Sequence, residues 1–266
     1  MDSIVELEHV HVARGNNIVL HDLSLRIDSG EHLAILGPNG CGKSTLLKTI
    51  TCELYPLVRP ETSVRIMGRK RWDLTQLKRR MGVVAAELPG RQTLSITGLD
   101  AILTGFFSSS TIWPNLVVTR RMRDRAEEIL ELVNAESLRS TLVGEMSAGQ
   151  QRRIMIGRAM AGTSSDVEEG SVQMLLLDEP SNALDLAAQQ DLREMLRELA
   201  RRGTAIVLIT HHIADILPEI DRIVMMNSGR IVADGSKGEL LTEHQLHQLF
   251  GREIALVERD GYWNAW

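Results

Sequence analysis

From Ile4-Val5-Glu6-Leu7 onward, apolar stretches are interrupted by polar turns at Arg14-Gly15-Asn16 and Ser29-Gly30. This pattern predicts antiparallel strands at the start of the chain, joined by Ser63 to Met67 into a small β-rich subdomain. Three runs carry no polar interruption: Leu33-Ala34-Ile35-Leu36 after His32, Met174-Leu175-Leu176-Leu177, and Ala205 to Ile209. Strands buried on both faces read this way, so the runs predict a parallel-sheet core of α/β class. Helical periodicity marks Ser44 to Leu54 and Gln151 to Met160, and it is clearest from Arg121 to Val133. Residues 87–160 read as a helical subdomain inserted into the α/β lobe formed by 1–86 and 161–251, with a short tail at 252–266. Thr163 to Val172, polar and acidic, reads as an exposed loop. Later punctuation predicts a hairpin at Asn227-Ser228-Gly229, a helix from about Lys237 and a turn at Asp260-Gly261.

The first apolar run leads into Gly37-Pro38-Asn39-Gly40-Cys41-Gly42-Lys43-Ser44-Thr45, which fits a phosphate-binding P-loop between a strand and a helix. The glycines at 37, 40 and 42 let the backbone curl until successive N–H groups face phosphate oxygens. The helix that follows offers those anions the positive end of its dipole. A nucleoside triphosphate is therefore expected, with Lys43 reaching the β and γ phosphates and Ser44 giving its hydroxyl to Mg²⁺.

The second run delivers Asp178 and Glu179 to the carboxyl end of a core strand, where open α/β sheets place their ligands. Asp178 suits a magnesium partner. Glu179 suits a general base that polarises the attacking water.

Between these elements stands Met146-Ser147-Ala148-Gly149-Gln150, followed by a helical run. With it the chain resembles the ATP-binding cassette (ABC) ATPases, P-loop NTPases whose usual signature is Leu-Ser-Gly-Gly-Gln. Ser147, Gly149 and Gln150 match; Met146 and Ala148 depart. Read without the resemblance, Ser147 opens a helix as an ordinary N-cap. Two further elements fall in the family's order: Ser181-Asn182-Ala183-Leu184-Asp185 after Glu179-Pro180, and His211 after its strand, with His212 a bystander. The resemblance implies a head-to-tail dimer hydrolysing ATP, in which Ser147, Gly149 and Gln150 of one copy meet the γ-phosphate held by the other's P-loop. It also implies that His211 contacts the γ-phosphate, and that the partner is a second copy or a paralogous cassette. The expected role is the ATP-binding subunit of a transporter, an importer working through separate integral membrane subunits. The rival is a soluble cassette acting on a cytoplasmic macromolecule.

Two departures stand out. Where the family has a glutamine, at the end of the strand entering the helical subdomain, this chain has Met81-Gly82-Val83-Val84-Ala85-Ala86-Glu87. Ala86 falls at the glutamine position, and Glu87 has two readings, a carboxylate for the metal or a solvated loop residue. Near Val10 to Gly15, where the family stacks an aromatic ring on adenine, the chain offers Arg14, whose planar guanidinium can also stack on a base.

Composition narrows the setting. A net charge of −5, with the clusters Arg69-Lys70-Arg71, Lys78-Arg79-Arg80 and Arg120 to Arg125 interspersed with acids, gives no sign of a nucleic-acid surface. No apolar run approaches the roughly 20 residues of a membrane span, so the expected location is cytoplasmic, peripheral to the membrane through a separate subunit. Cys41 and Cys52 form no metal or disulfide pattern, and Cys41 at a helix start is either a low-pKa thiol or a small tolerated side chain. His9 and His11 lack a third ligand and read as surface residues. With only 3% aromatics, Phe106, Phe107 and Trp113 stand close together and read either as packing of the helical subdomain or as anchors for a membrane subunit.

Overall fold

The computed structural model describes residues 3–86, 89–161 and 174–266. In chain order the first elements are β1 (Ser3–Arg14), β2 (Asn17–Asp28), β3 (Leu33–Leu36), α1 (Lys43–Ile50) and β4 (Ser63–Ile66). Next come α2 (Leu74–Arg80), β5 (Met81–Val84), α3 (Arg91–Leu94), α4 (Gly98–Gly105), α5 (Arg120–Leu132) and α6 (Ala148–Ala161). Then follow β6 (Met174–Asp178), α7 (Leu186–Arg201), β7 (Ala205–Thr210), β8 (Arg222–Asn227) and β9 (Arg230–Ser236). The chain closes with α8 (Lys237–Leu240), α9 (Glu243–Phe250), β10 (Leu256–Arg259) and β11 (Tyr262–Ala265). Two compact units result, Met1–Leu74 with Ile206–Trp266, and Thr75–Ala205.

In the first unit β1 pairs antiparallel with β2 and with β4, as the early turns predict. Period-two patterning, reset by a register shift between Leu7 and Val10 where His9 and Asp22 take positive φ, sends Val5, Leu7, Val10 and Val12 of β1, with Leu20, Leu23, Leu25 and Ile27 of β2, into the core. The other sheet of this unit is built on β3, which runs parallel to both β7 and β8. A central strand of a parallel sheet has both edges paired and both faces packed over, and Leu33, Ala34, Ile35 and Leu36 are accordingly all buried. β9 closes the edge antiparallel to β8, around the predicted turn at Ser228 and Gly229. The tail folds back as the hairpin β10–β11, turning at Asp260 and Gly261, both at positive φ.

One helix ends earlier than its periodicity suggests. α1 stops at Ile50, rather than running to Leu54, and Cys52 takes a left-handed φ of 57°. The N–H groups of Glu53 and Leu54 then turn back to the Lys48 carbonyl. That closure satisfies the Lys48 carbonyl in the last turn, with Cys52 where a glycine more commonly stands.

In the second unit β5 runs parallel to β6, pairing Val84 with Leu177. Helices α4, α5 and α6 enclose Ile102, Phe106, Ile129, Ile154 and Ile156, all at most 1% exposed. Burial of Phe106 alone contributes about 1.5–3 kcal/mol. Side chains start the helices: Thr97 accepts from the Asp100 N–H, Thr119 from Met122 and Asp185 from Ala188. Trp113, by contrast, is 50% exposed. The cluster of aromatics therefore divides, Phe106 belonging to the core and Trp113 to the surface. The polar segment from Thr163 to Val172 lies outside the described residues.

Candidate functional site

Site residues occur in both units. In the first, β3 hands the chain to the phosphate loop at its carboxyl end. A Cβ on Gly37 would fall 2.3 Å from the Met226 carbonyl oxygen, so only glycine lets the loop leave the strand here. Gly42 sits at φ 111° as the residue before α1, and a Cβ there would press within 2.9 Å of Leu20 Cδ2. Leu20 of β2 thereby limits how far the loop can retreat. Between these glycines, the Cys41 N–H donates to the Pro38 carbonyl at 3.3 Å, while Pro38, Asn39 and Gly40 form the outer arc.

Lys43 is 5% exposed, and its ammonium donates to the carbonyls of Gly37 at 2.8 Å and Pro38 at 3.1 Å. The cation is thus held inside the curve of the loop rather than in solvent. Ser44, beside it, is exposed on the first turn of α1, while Thr45 is buried. That first turn has no acidic side chain, so the positive end of the helix dipole and the Lys43 charge act together on an incoming anion.

The loop is also braced from behind. Gly229, in the β8–β9 turn, donates its N–H to the Cys41 carbonyl at 2.8 Å, and its own carbonyl accepts from His21 at 2.9 Å. Nothing in the local sequence around either residue announces this brace.

β7 ends in Thr210 and His211. Thr210 is fully buried and donates its hydroxyl to Asp215 Oδ2 at 2.9 Å, while the His212 N–H donates to the same hydroxyl. This buried pair fixes the turn, leaving His211 half-buried and His212 exposed, their ring centres 3.9 Å apart. A cavity of about 510 Å³ opens beside them, lined also by Phe250, Arg252 and Trp266. Arg14 is exposed at the β1–β2 turn, paired with Asn17.

In the second unit β6 is buried throughout and ends in Asp178, itself 6% exposed. Glu179 follows at φ 45° and Ala183 at φ 63°, both left-handed positions held by non-glycine residues. Backbone of that kind costs about 1–2 kcal/mol per residue and persists where the surroundings over-determine it. Here the Asn182 N–H donates to the Glu179 carbonyl, and that of Leu184 to the Ser181 carbonyl, so the segment from Ser181 to Asp185 is a closed turn leading into α7.

Ser147 and Gln150 form a reciprocal cap. The Gln150 N–H donates to Ser147 Oγ at 3.3 Å, and the Ser147 N–H donates to Gln150 Oε1 at 2.9 Å. Gly149 brings α6 against α7: a Cβ there would lie 2.8 Å from the Ala188 Cβ. Met146, replacing the usual leucine, is 6% exposed and keeps its apolar role, while Gln151 ties the preceding turn by donating to the carbonyls of Val143 and Met146. Of the residues near the expected glutamine, Ala86 follows β5 by two positions, and Glu87 lies outside the described residues.

Arg152 escapes the sequence reading. It is 6% exposed, with its guanidinium donating to the carbonyls of Ala85 at 2.8 Å and Ala86 at 3.3 Å. A signal was available: Arg152 falls three residues after Gly149 and four before Ile156, on the buried stripe of α6.

Residues 20–182 match the family model described as ABC transporter. The hemin import ATP-binding protein of Burkholderia ambifaria is 34% identical over 259 residues, covering 94% of this chain and 94% of that protein. A phosphonates import ATP-binding protein of Nostoc is 32% identical over 240 residues, covering 88% of this chain and 94% of its own. Among solved structures, a dimeric ATP-binding cassette in a post-hydrolysis state, bound to ADP and phosphate, is 27% identical with a TM-score of 0.67. The match covers 87% of this chain and 98% of that one.

Proposed function

Because this chain belongs to the ABC transporter family of ATP-binding subunits, we propose that it powers import across a membrane as one of two cassettes that bind and split ATP between them. The observation that carries this reading is the phosphate loop: Gly37 stands where a Cβ would strike backbone and Gly42 at a φ of 111° that side chains rarely adopt, and they frame a buried Lys43 ammonium. ATP hydrolysis to ADP and phosphate is the family's chemistry. Import is the role that the hemin and phosphonate relatives carry in their names.

The proposed division of labour follows the residue chemistry. Lys43 and the N–H groups of Asn39 to Thr45 bind the phosphates of ATP, and Arg14 stacks on the base. Ser44 and Asp178 are hard oxygen donors, the type of ligand magnesium takes, and they would hold Mg²⁺ there. Bound Mg²⁺ supplies charge neutralisation across the phosphate oxygens. Glu179 accepts a proton from the attacking water, and His211 donates toward the γ-phosphate. Ser147, Gly149 and Gln150 serve the nucleotide of the other copy in a head-to-tail pair, Ser147 opening a helix whose first turn carries no acid. Rate enhancement then comes from positioning and preorganised charge rather than covalent chemistry.

Residues 1–251 constitute one cassette in this reading, with 87–160 as its helical subdomain and 252–266 as a tail. Among the described residues no helix is long and apolar enough to cross a membrane. Attachment at the membrane is therefore assigned to separate integral membrane subunits.

The test is recovery of tagged Glu179→Gln protein from its native cells in mild detergent with ATP. A stoichiometric polytopic membrane protein supports the importer; recovery with ribosomes or a soluble assembly and no membrane chain would sink it.

A further inference from the structure

Arg152 is a buried cation whose hydrogen-bonding partners carry no charge. Both contacts go to backbone carbonyls, Ala85 at 2.8 Å and Ala86 at 3.3 Å, at the end of β5. Retaining a guanidinium in such a place costs free energy that a leucine on the same helical stripe would not incur. The burial lowers its pKa, and the Asp178 carboxylate acts in the opposite direction.

The neighbouring arginines of α6 behave differently. Arg153 donates to the Asn134 carbonyl and to Asp191 Oδ2 on α7, and Arg158 to Thr104 Oγ1 and the Ser109 carbonyl, so neither is bonded to the end of β5. Arg152 instead links the helix that Ser147 opens to the end of β5. At that strand end Ala86 has only a methyl group, which can neither donate nor accept. The link consists of two hydrogen bonds from one rigid, planar group to two successive carbonyls.

We propose that Arg152 is a positioning residue for ATP hydrolysis, joining the signature helix to the end of β5 and supplying from α6 the polar link that Ala86 lacks. The proposal rests on the ATPase reading above. It assigns Arg152 no contact with nucleotide, so its loss should spare ATP binding and slow turnover.

The experiment measures steady-state ATPase activity and nucleotide affinity of the full chain, comparing parent, Arg152→Gln, Arg152→Lys and the double variant Arg152→Gln/Ala86→Gln, with thermal unfolding on each. Arg152→Gln is expected to lower kcat about tenfold or more with KM and ATP affinity within about twofold. Arg152→Lys, which keeps the charge and part of the donor set, should recover some of that loss. The added glutamine at 86 should recover more than Arg152→Gln shows alone. Parent-like kcat in Arg152→Gln would overturn the proposal, as would a loss shared by KM with no recovery in either companion variant. If Arg152→Gln does not fold, Arg152→Lys decides: reduced kcat at unchanged KM supports the link, and parental kinetics overturns it. A parent chain without turnover would instead strike the ATPase reading, leaving the two failures distinguishable.

Discussion

Gly229 donates its backbone N–H to the carbonyl of Cys41 at 2.8 Å, so a hairpin turn almost at the far end of the sequence holds the phosphate loop in shape. Gly229 sits at φ 75°, and a Cβ on it would fall 2.0 Å from the Val19 carbonyl oxygen. Gly229→Ala therefore has to move either β2 or the turn, and with it the brace on Cys41. The expected destabilisation is at least about 2 kcal/mol from the left-handed conformation and the clash together. Urea unfolding measures the stability and fluorescent-nucleotide titration the affinity. Weakened ATP binding should accompany the loss; unchanged affinity would mean the loop keeps its shape without the brace.

Glu179 offers a test of function against stability at one position. Glu179→Gln removes the proton acceptor while keeping the shape, so turnover should fall at least about a hundredfold with ATP still bound. Glu179→Gly should be equally inactive yet more stable by about 0.5–1 kcal/mol, because φ 45° suits glycine. A Gly variant less stable than parent would show that the carboxylate's contacts outweigh the backbone cost.

The aromatics after α4 separate packing from docking. Phe106, 1% exposed, should cost about 3–5 kcal/mol when replaced by alanine. Trp113, 50% exposed, should cost less than about 1 kcal/mol, and Trp113→Ala should instead weaken co-purification of a membrane subunit. Undiminished co-purification would return Trp113 to the ordinary surface.

Burial pushes the Cys52 thiol above its ordinary pKa. Folded protein then holds that proton to higher pH than the unfolded chain does. The resulting stabilisation is complete below the unfolded thiol's pKa of about 8.5 and disappears as pH rises through the folded value. Urea midpoints taken at about pH 7.5 and about pH 10 should fall further in the parent than in Cys52→Ala. Equal falls would remove Cys52 from the alkaline limb.

Much of the candidate site's local geometry was legible in the sequence because it is built from short contiguous segments. Phosphate binding needs a run of N–H groups, so Asn39 to Thr45 must be contiguous, and the same holds for Ser147 with Gln150, a cap closed over three residues. Parallel core strands announce themselves through Leu33 to Leu36 and Ala205 to Ile209, where burial on both faces leaves no room for polar positions. The early end of α1 was less legible: Cys52 at φ 57° is a left-handed closure without the glycine that usually marks one.

The sequence by itself thus determined the loop, the acidic strand end, the signature segment and their order, since each is a short run whose spacing is its chemistry. Only the tertiary structure decided what holds them: Gly229 behind Cys41, Arg152 on the carbonyls of Ala85 and Ala86, and Phe106 inside while Trp113 stays out. The first two contacts join residues about 190 and 66 positions apart through backbone carbonyls, groups that every residue carries alike. A pattern of side chains cannot record which carbonyl the folded chain will bring to a donor, nor which of two aromatics the core will cover.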